Sequence, residues 1–225
     1  MSDQELRELE RRWKETGAVE DEAAYLLERV RVGDLTQERL ELAAYCGHEG
    51  ARNCITLRSA RREPIDHRAW VDGLDRLSHD GALVFSAALA VEALRWWEVH
   101  HGRQIDPRHA KILRKALGQA LDALSCKGKW PNFNLVVAAD AAVNMLGAEG
   151  PADPRSCGAG WTVVTLLRAH SEPDIAMRTF AAASANIDRV LSAPFMSERE
   201  ALSLGSGAVR RYATEGRTPQ LPVPS

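Results

Sequence analysis

The stretch from Gly81 to Trp97, GALVFSAALAVEALRWW, is apolar almost all the way round, with Ser86, Glu92 and Arg95 as its only clearly polar side chains. A helix without a polar face must be wrapped by other helices. In a chain where no segment alternates like a half-buried strand, that requirement predicts an all-α fold built around a central element. The segment is shorter than the roughly 20 residues that cross a bilayer and contains Glu92 and Arg95, so it reads as a core helix and not a membrane span.

The flanking sequence supplies the wrapping. Leu6, Leu9 and Trp13 fall on one stripe of a first helix that Ser2 can cap and Gly17 ends. Ala23, Leu26, Leu27 and Val30 repeat the pattern before Gly33, and Thr36 opens a third helix running to Tyr45. Short helices joined by short turns predict antiparallel hairpins stacked side by side, either as an irregular array or as a bundle around the central helix. A polar segment, Ser59 to Asp66, reads as a linker between an N-terminal helical module (1–58) and a main helical domain (66–213). Beyond it lie helices around His67 to Leu77, Pro107 to Ser125, Leu135 to Leu146, Gly160 to His170, Pro173 to Leu191 and Ser197 to Tyr212. Residues 214–225, rich in proline, are expected to be an extended or disordered tail.

Composition narrows the function classes. The formal net charge of −2 provides no clustered basic footprint for nucleic acid. The charged N-terminus lacks the apolar centre of a secretory signal, and the four cysteines show no CxxC pairing, so a reduced cytoplasmic setting is expected. Neither a cofactor nor a metal is implied.

Several polar groups could carry chemistry. Glu92 and Asp140 lie in the most apolar surroundings; facing each other, they could do acid and base work, whereas pairing with Arg95 and Asn144 would make them ordinary helix contacts. Glu98 and His101 form an ExxH pair of the kind that carboxylate-bridged di-iron bundles use, but no second ExxH occurs in the chain. Cys46, His48 and Cys54 are close in sequence without an obvious fourth zinc ligand. LGSGAVRR, Leu204 to Arg211, contains glycines beside arginines but lacks the spacing and Lys-Ser/Thr ending of a phosphate-binding P-loop. The aromatics point elsewhere. Trp96 and Trp97 project about a quarter-turn apart, so both cannot face one core, and with Trp130 and Phe133 they form the candidate partner-binding set.

Two segments, LELAAYCGHEGAR (Leu40 to Arg52) and SEPDIAMRTFAAASANIDRVL (Ser171 to Leu191), look like helix-turn-helix repeat units. The second resembles the inner helix of a HEAT/armadillo-type repeat, with a proline turn followed by Arg and an Ala-rich face. The N-terminal segment LERRWKETGAVEDEAAYLLERVRVGDLTQERLELAAYCGHEGAR resembles a module of uncharacterised myxobacterial-type proteins, which implies a bacterial cytosolic protein and a boundary near Ser59. The expected function is a non-enzymatic helical protein-protein interaction module, as an adaptor or immunity-type inhibitor. The alternative is a hydrolase or metal-dependent enzyme using Glu92, Glu98, His101 and Asp140 in the helical core. The expected partner is another protein, with no role for nucleic acid or membrane, and self-assembly through the N-terminal module and Trp13 stands as a third reading.

Overall fold

In a computed structural model of the chain, the structure describes residues 3–55, 67–101, 107–125, 129, 131, 133–148, 162–168 and 196–221. The described residues form helices, turns and connecting backbone without a strand, and the protein is all-α. The helices are α1 (Asp3–Thr16), α2 (Val19–Arg31), α3 (Gln37–Tyr45), α4 (Glu49–Cys54), α5 (His67–Leu77), α6 (His79–His101), α7 (Pro107–Leu124) and α8 (Phe133–Ala148). A helical segment at 162–168 and α9 (Glu198–Glu215) follow. No helix of the described chain is long and apolar enough to cross a membrane.

The local signals lie where the sequence places them. Gly17 and Gly33 end α1 and α2 with φ of 62° and 81°, left-handed values that cost glycine nothing. Thr36 caps α3, its hydroxyl accepting the Arg39 N–H at 3.3 Å. Ser197 and Glu200 close a reciprocal capping box at the start of α9. The expected cap at Ser2 lies outside the described residues.

Helix α6 shows why its sequence has no polar face. One stripe, Val84, Phe85, Ala88 and Leu89, enters a core shared with α2, α3, α4, α5 and α9. The opposite stripe, Leu83, Ala87, Ala90, Ala93 and Leu94, enters a second core with α7, α8 and segment 162–168. A helix that forms a wall between two cores needs apolar side chains on both sides. It also needs close approach: a Cβ on Gly205 of α9 would stand 2.1 Å from the Phe85 ring, so only glycine lets α9 lie this near to α6.

The first core runs across the expected boundary near Ser59, since residues of α2 and α3 share it with α9. Polar contacts follow the same path. Arg29 of α2 donates to the Thr214 carbonyl at 2.6 Å, and Arg39 of α3 donates to the Tyr212 carbonyl while its guanidinium lies 5.5 Å from the Tyr212 ring centre. These arginines reach carbonyls in the last turn of α9, the Tyr212 carbonyl also accepting the Gly216 N–H at 2.9 Å, and their charge suits the negative end of the helix. Tyr45 of α3 donates to the Trp70 carbonyl of α5 at 2.7 Å.

The described part of the C-terminal tail finds something to pack on. Gly216 ends α9 in the left-handed conformation, Thr218 and Ser125 share a hydrogen bond of 2.5 Å, and Leu221 packs against the second core. Proline content signals an absence of helix, but a short extended segment can still bury one leucine.

Two substitutions test this packing. Ser86 is fully buried in α6 and its hydroxyl has no hydrogen-bond partner among the described residues. Ser86→Ala removes an unsatisfied group and is expected to stabilise the protein by about 1 kcal/mol in denaturant unfolding. Gly205→Ala forces a methyl into the Phe85 ring and is expected to destabilise by about 2 kcal/mol or more, despite the better helix propensity of alanine.

Candidate interaction surface at the end of α6

The candidate carboxylates each meet a different arginine. Glu92 lies 3.7 Å from Arg95, one turn along its own helix, as the local-pair reading of the sequence expects. Glu98 is held by Arg114 of α7, whose Nε donates at 2.9 Å while Nη2 takes the other carboxylate oxygen. Asp140 of α8 receives Arg168 Nη2 at 2.7 Å from segment 162–168, and its Oδ1 is buried without a hydrogen-bond partner among the described residues. Asp140 thus pairs with a residue 28 positions away, the side chain of its expected partner Asn144 lying outside the described residues, and the end of α6 is tied to its neighbour through Glu98.

These pairs join helices that the second core also joins. A two-pronged Arg–carboxylate contact fixes orientation as well as distance, so Glu98–Arg114 sets the angle at which α7 leaves α6. With both Glu98 oxygens engaged, a metal at this ExxH would have to displace the arginine. His101 is the last residue of α6, and its side chain lies outside the described set. Among the described residues, no three His, Cys, Asp or Glu side chains are placed to hold a metal ion.

The sequence cluster Cys46, His48 and Cys54 separates into local duties. His48 caps α4, its Nδ1 accepting the Ala51 N–H at 3.3 Å, and its Nε2 faces Glu22 at 3.7 Å. Cys54 donates its S–H to the carbonyls of Ala23 and Gly50 at 3.2 and 3.1 Å. Cys46 is buried in the first core, where burial pushes its thiol up to about 12. Burial also pushes the Cys54 thiol up to about 11, with the Glu22 carboxylate acting in the same direction.

Of the expected aromatic set, Trp96 is half-buried against the second core. Trp97 follows it in α6 and Phe133 opens α8, but both side chains lie outside the described residues, as does Trp130 entirely. The exposed apolar residue at this end is one the sequence reading passed over. Val99 is 74% exposed, while Arg95, four residues earlier, is exposed and Glu92 is half-buried. Glu92, Arg95 and Val99 stand at i, i+3 and i+7, which places them on one line of a helix. The two polar members mark that line in the sequence; extending it one more turn would have found Val99. Glu92 also lines an open hollow of about 450 Å³ with Met196, Glu200, Ser203 and Leu204 of the α9 region.

Raised thiol pKa values mean less thiolate at neutral or mildly alkaline pH, so both cysteines should resist alkylation. At pH 8, iodoacetamide should modify Cys54 at least about 100-fold more slowly in the folded protein than in urea, with Cys46 slower still, as read by peptide mass spectrometry. No protein-family model, curated protein or solved structure matches this chain.

Proposed function

We propose that the protein is a non-enzymatic helical interaction module, an adaptor or immunity-type inhibitor of a bacterial cytoplasm, that receives another protein at the far end of α6. The observation that carries this reading is Val99, an apolar side chain 74% exposed on the same helical line as Arg95. An isolated exposed valine is ordinary, but here it extends a helix whose central turns, 81–90, are buried, beside an arginine and close in sequence to Trp96 and Trp97. Arginine and aromatic residues are the types most often found at the centres of protein contacts. Consecutive helices also pack together as α1 with α2, α3 with α4, α5 with α6 and α7 with α8, which favours the stacked-hairpin, HEAT-like reading.

The alternative, a hydrolase or metal-dependent enzyme, draws on the hollow where Glu92 and Glu200 lie with Ser203. It is the weaker reading, because Glu200 accepts hydrogen bonds from the backbone and hydroxyl of Ser197, and Glu98 and Asp140 each hold an arginine elsewhere.

A photo-crosslinking residue at position 99, compared with one at the exposed Arg7 of α1, tests the interaction reading in the source cell. The expected result is one adduct protein from position 99 and none from position 7. Val99→Glu should abolish capture while changing stability by no more than about 0.5 kcal/mol, as for an ordinary surface substitution. Absence of an adduct, or the same adducts from both positions, would overturn the assignment.

A further inference from the structure

Past Gly216 the chain runs to Leu221 without helix, strand or turn, and on the way it passes from one core to the other. Helix α9 lies in the first core, whereas Leu221 packs against the second. Two contacts with α7 fix the path. Thr218 Oγ1 and Ser125 Oγ are 2.5 Å apart, and a Cβ built on Gly118 would stand 3.4 Å from Leu221 Cδ1, so the bare helix surface at Gly118 faces the leucine. Ser125 Oγ donates its own proton to the Leu121 carbonyl at 2.9 Å, which makes Thr218 the donor of the shared bond and Ser125 a positioned acceptor.

The spacing of the two contacts shows how the segment lies. Gly118, Leu121 and Ser125 stand at i, i+3 and i+7, on one line of the helix. Seven helical residues rise about 10.5 Å, and three steps of extended proline-type chain span about 9 Å, so residues 218–221 lie lengthwise on α7 and antiparallel to it. Pro219 stiffens this stretch, which lowers the conformational entropy lost when it is held. The ties are few. Among the described residues the backbone of 217–221 makes no hydrogen bond to other backbone, Arg217 turns back to Glu215 at 3.0 Å, and Leu221 is half-buried. The elements on either side are held by other contacts: Arg29 and Arg39 fix the last turn of α9, and Leu113 and Leu117 anchor α7 in the second core. The segment can therefore leave α7 without unfolding a helix.

We propose that residues 217–221 are a releasable strap, a peptide bound in cis that covers a recognition seat on α7 formed by Gly118, Leu121 and Ser125. When the strap lifts, the seat takes an extended peptide of another chain that carries the same Thr-Pro-x-Leu pattern. The leucine fills the space over Gly118, and the hydroxyl three residues earlier donates to Ser125. The strap is tethered by only a few residues to α9, so it competes at an effective concentration of about millimolar and excludes weaker peptides. This seat is independent of the partner surface at Val99, which lies on another helix and plays no part in the test.

The test uses a fluorescein-labelled peptide, RTPQLPVPS, added to the full chain and read by fluorescence anisotropy. Leu221→Glu in the full chain should lift the strap, keep the helix content seen by circular dichroism, and bind the peptide at least about tenfold more tightly than the unaltered chain does. A peptide with alanine in place of its leucine should bind that variant about fivefold more weakly or worse. Adding Gly118→Leu, which fills the seat, should remove the binding. The unaltered chain gives a second reading that needs no variant: in NMR, an excess of unlabelled peptide should displace the strap and move the Leu221 methyl signals saturably toward solvent-exposed positions. Equal binding to the unaltered chain and to Leu221→Glu, equal binding of the alanine peptide, or Leu221 signals that stay in place under millimolar peptide would overturn the proposal.

Discussion

The rest of the structure depends on the burial of α6 along both of its sides. Each side supplies four or five apolar residues to a different core, and each core takes its remaining walls from different helices. Neither core could close without this shared wall. Burying a large aliphatic side chain stabilises by about 1.5 to 3 kcal/mol, so the two stripes together contribute far more than any surface ion pair in the protein. The small residues are as important as the large ones. Ala87, Ala90 and Ala93 let the second core's helices approach α6, and Gly205 does the same for α9 against Phe85.

Ionic contacts then orient what the cores bring together. Arg29 and Arg39 reach the last carbonyls of α9, Arg114 grips Glu98, and Arg168 grips Asp140. Each joins elements separated in sequence, and each involves a side chain at least partly withdrawn from solvent, where a lost partner costs more than it would at a fully exposed site. This use of charge explains why carboxylates in apolar sequence surroundings are not thereby catalytic. An acidic residue near the edge of a core is what a neighbouring helix needs to anchor its arginine. Val99 at the end of α6 stands apart from these contacts as an apolar side chain 74% exposed.

Much of the fold was legible because the signals for it are local. The all-round apolar helix, the glycine stops at Gly17 and Gly33, the Thr36 cap and the start of α7 at Pro107 depend on residues within one or two turns. The candidate site was less legible. Glu92, Glu98 and Asp140 stand out in the sequence, but helical spacing matches only Glu92 with its arginine. Arg114 and Arg168 lie 16 and 28 residues from their carboxylates, beyond the reach of helical spacing. The exposure of Val99 is marked in the sequence only by its place on the line through Glu92 and Arg95, a weaker signal than the tryptophans beside it.

The sequence by itself determined that the chain is helical, where several helices begin and end, and that one of them must be enclosed. Hydrophobic periodicity and capping act over a few residues, and so they can be read without a partner. Only the tertiary structure decided that α6 separates two cores, that α9 returns to lie against α3 and α6, and which arginine each carboxylate holds. Those outcomes depend on how helices far apart in the chain approach one another. That approach is governed by side-chain volume at contacts such as Gly205 against Phe85, which no local pattern records.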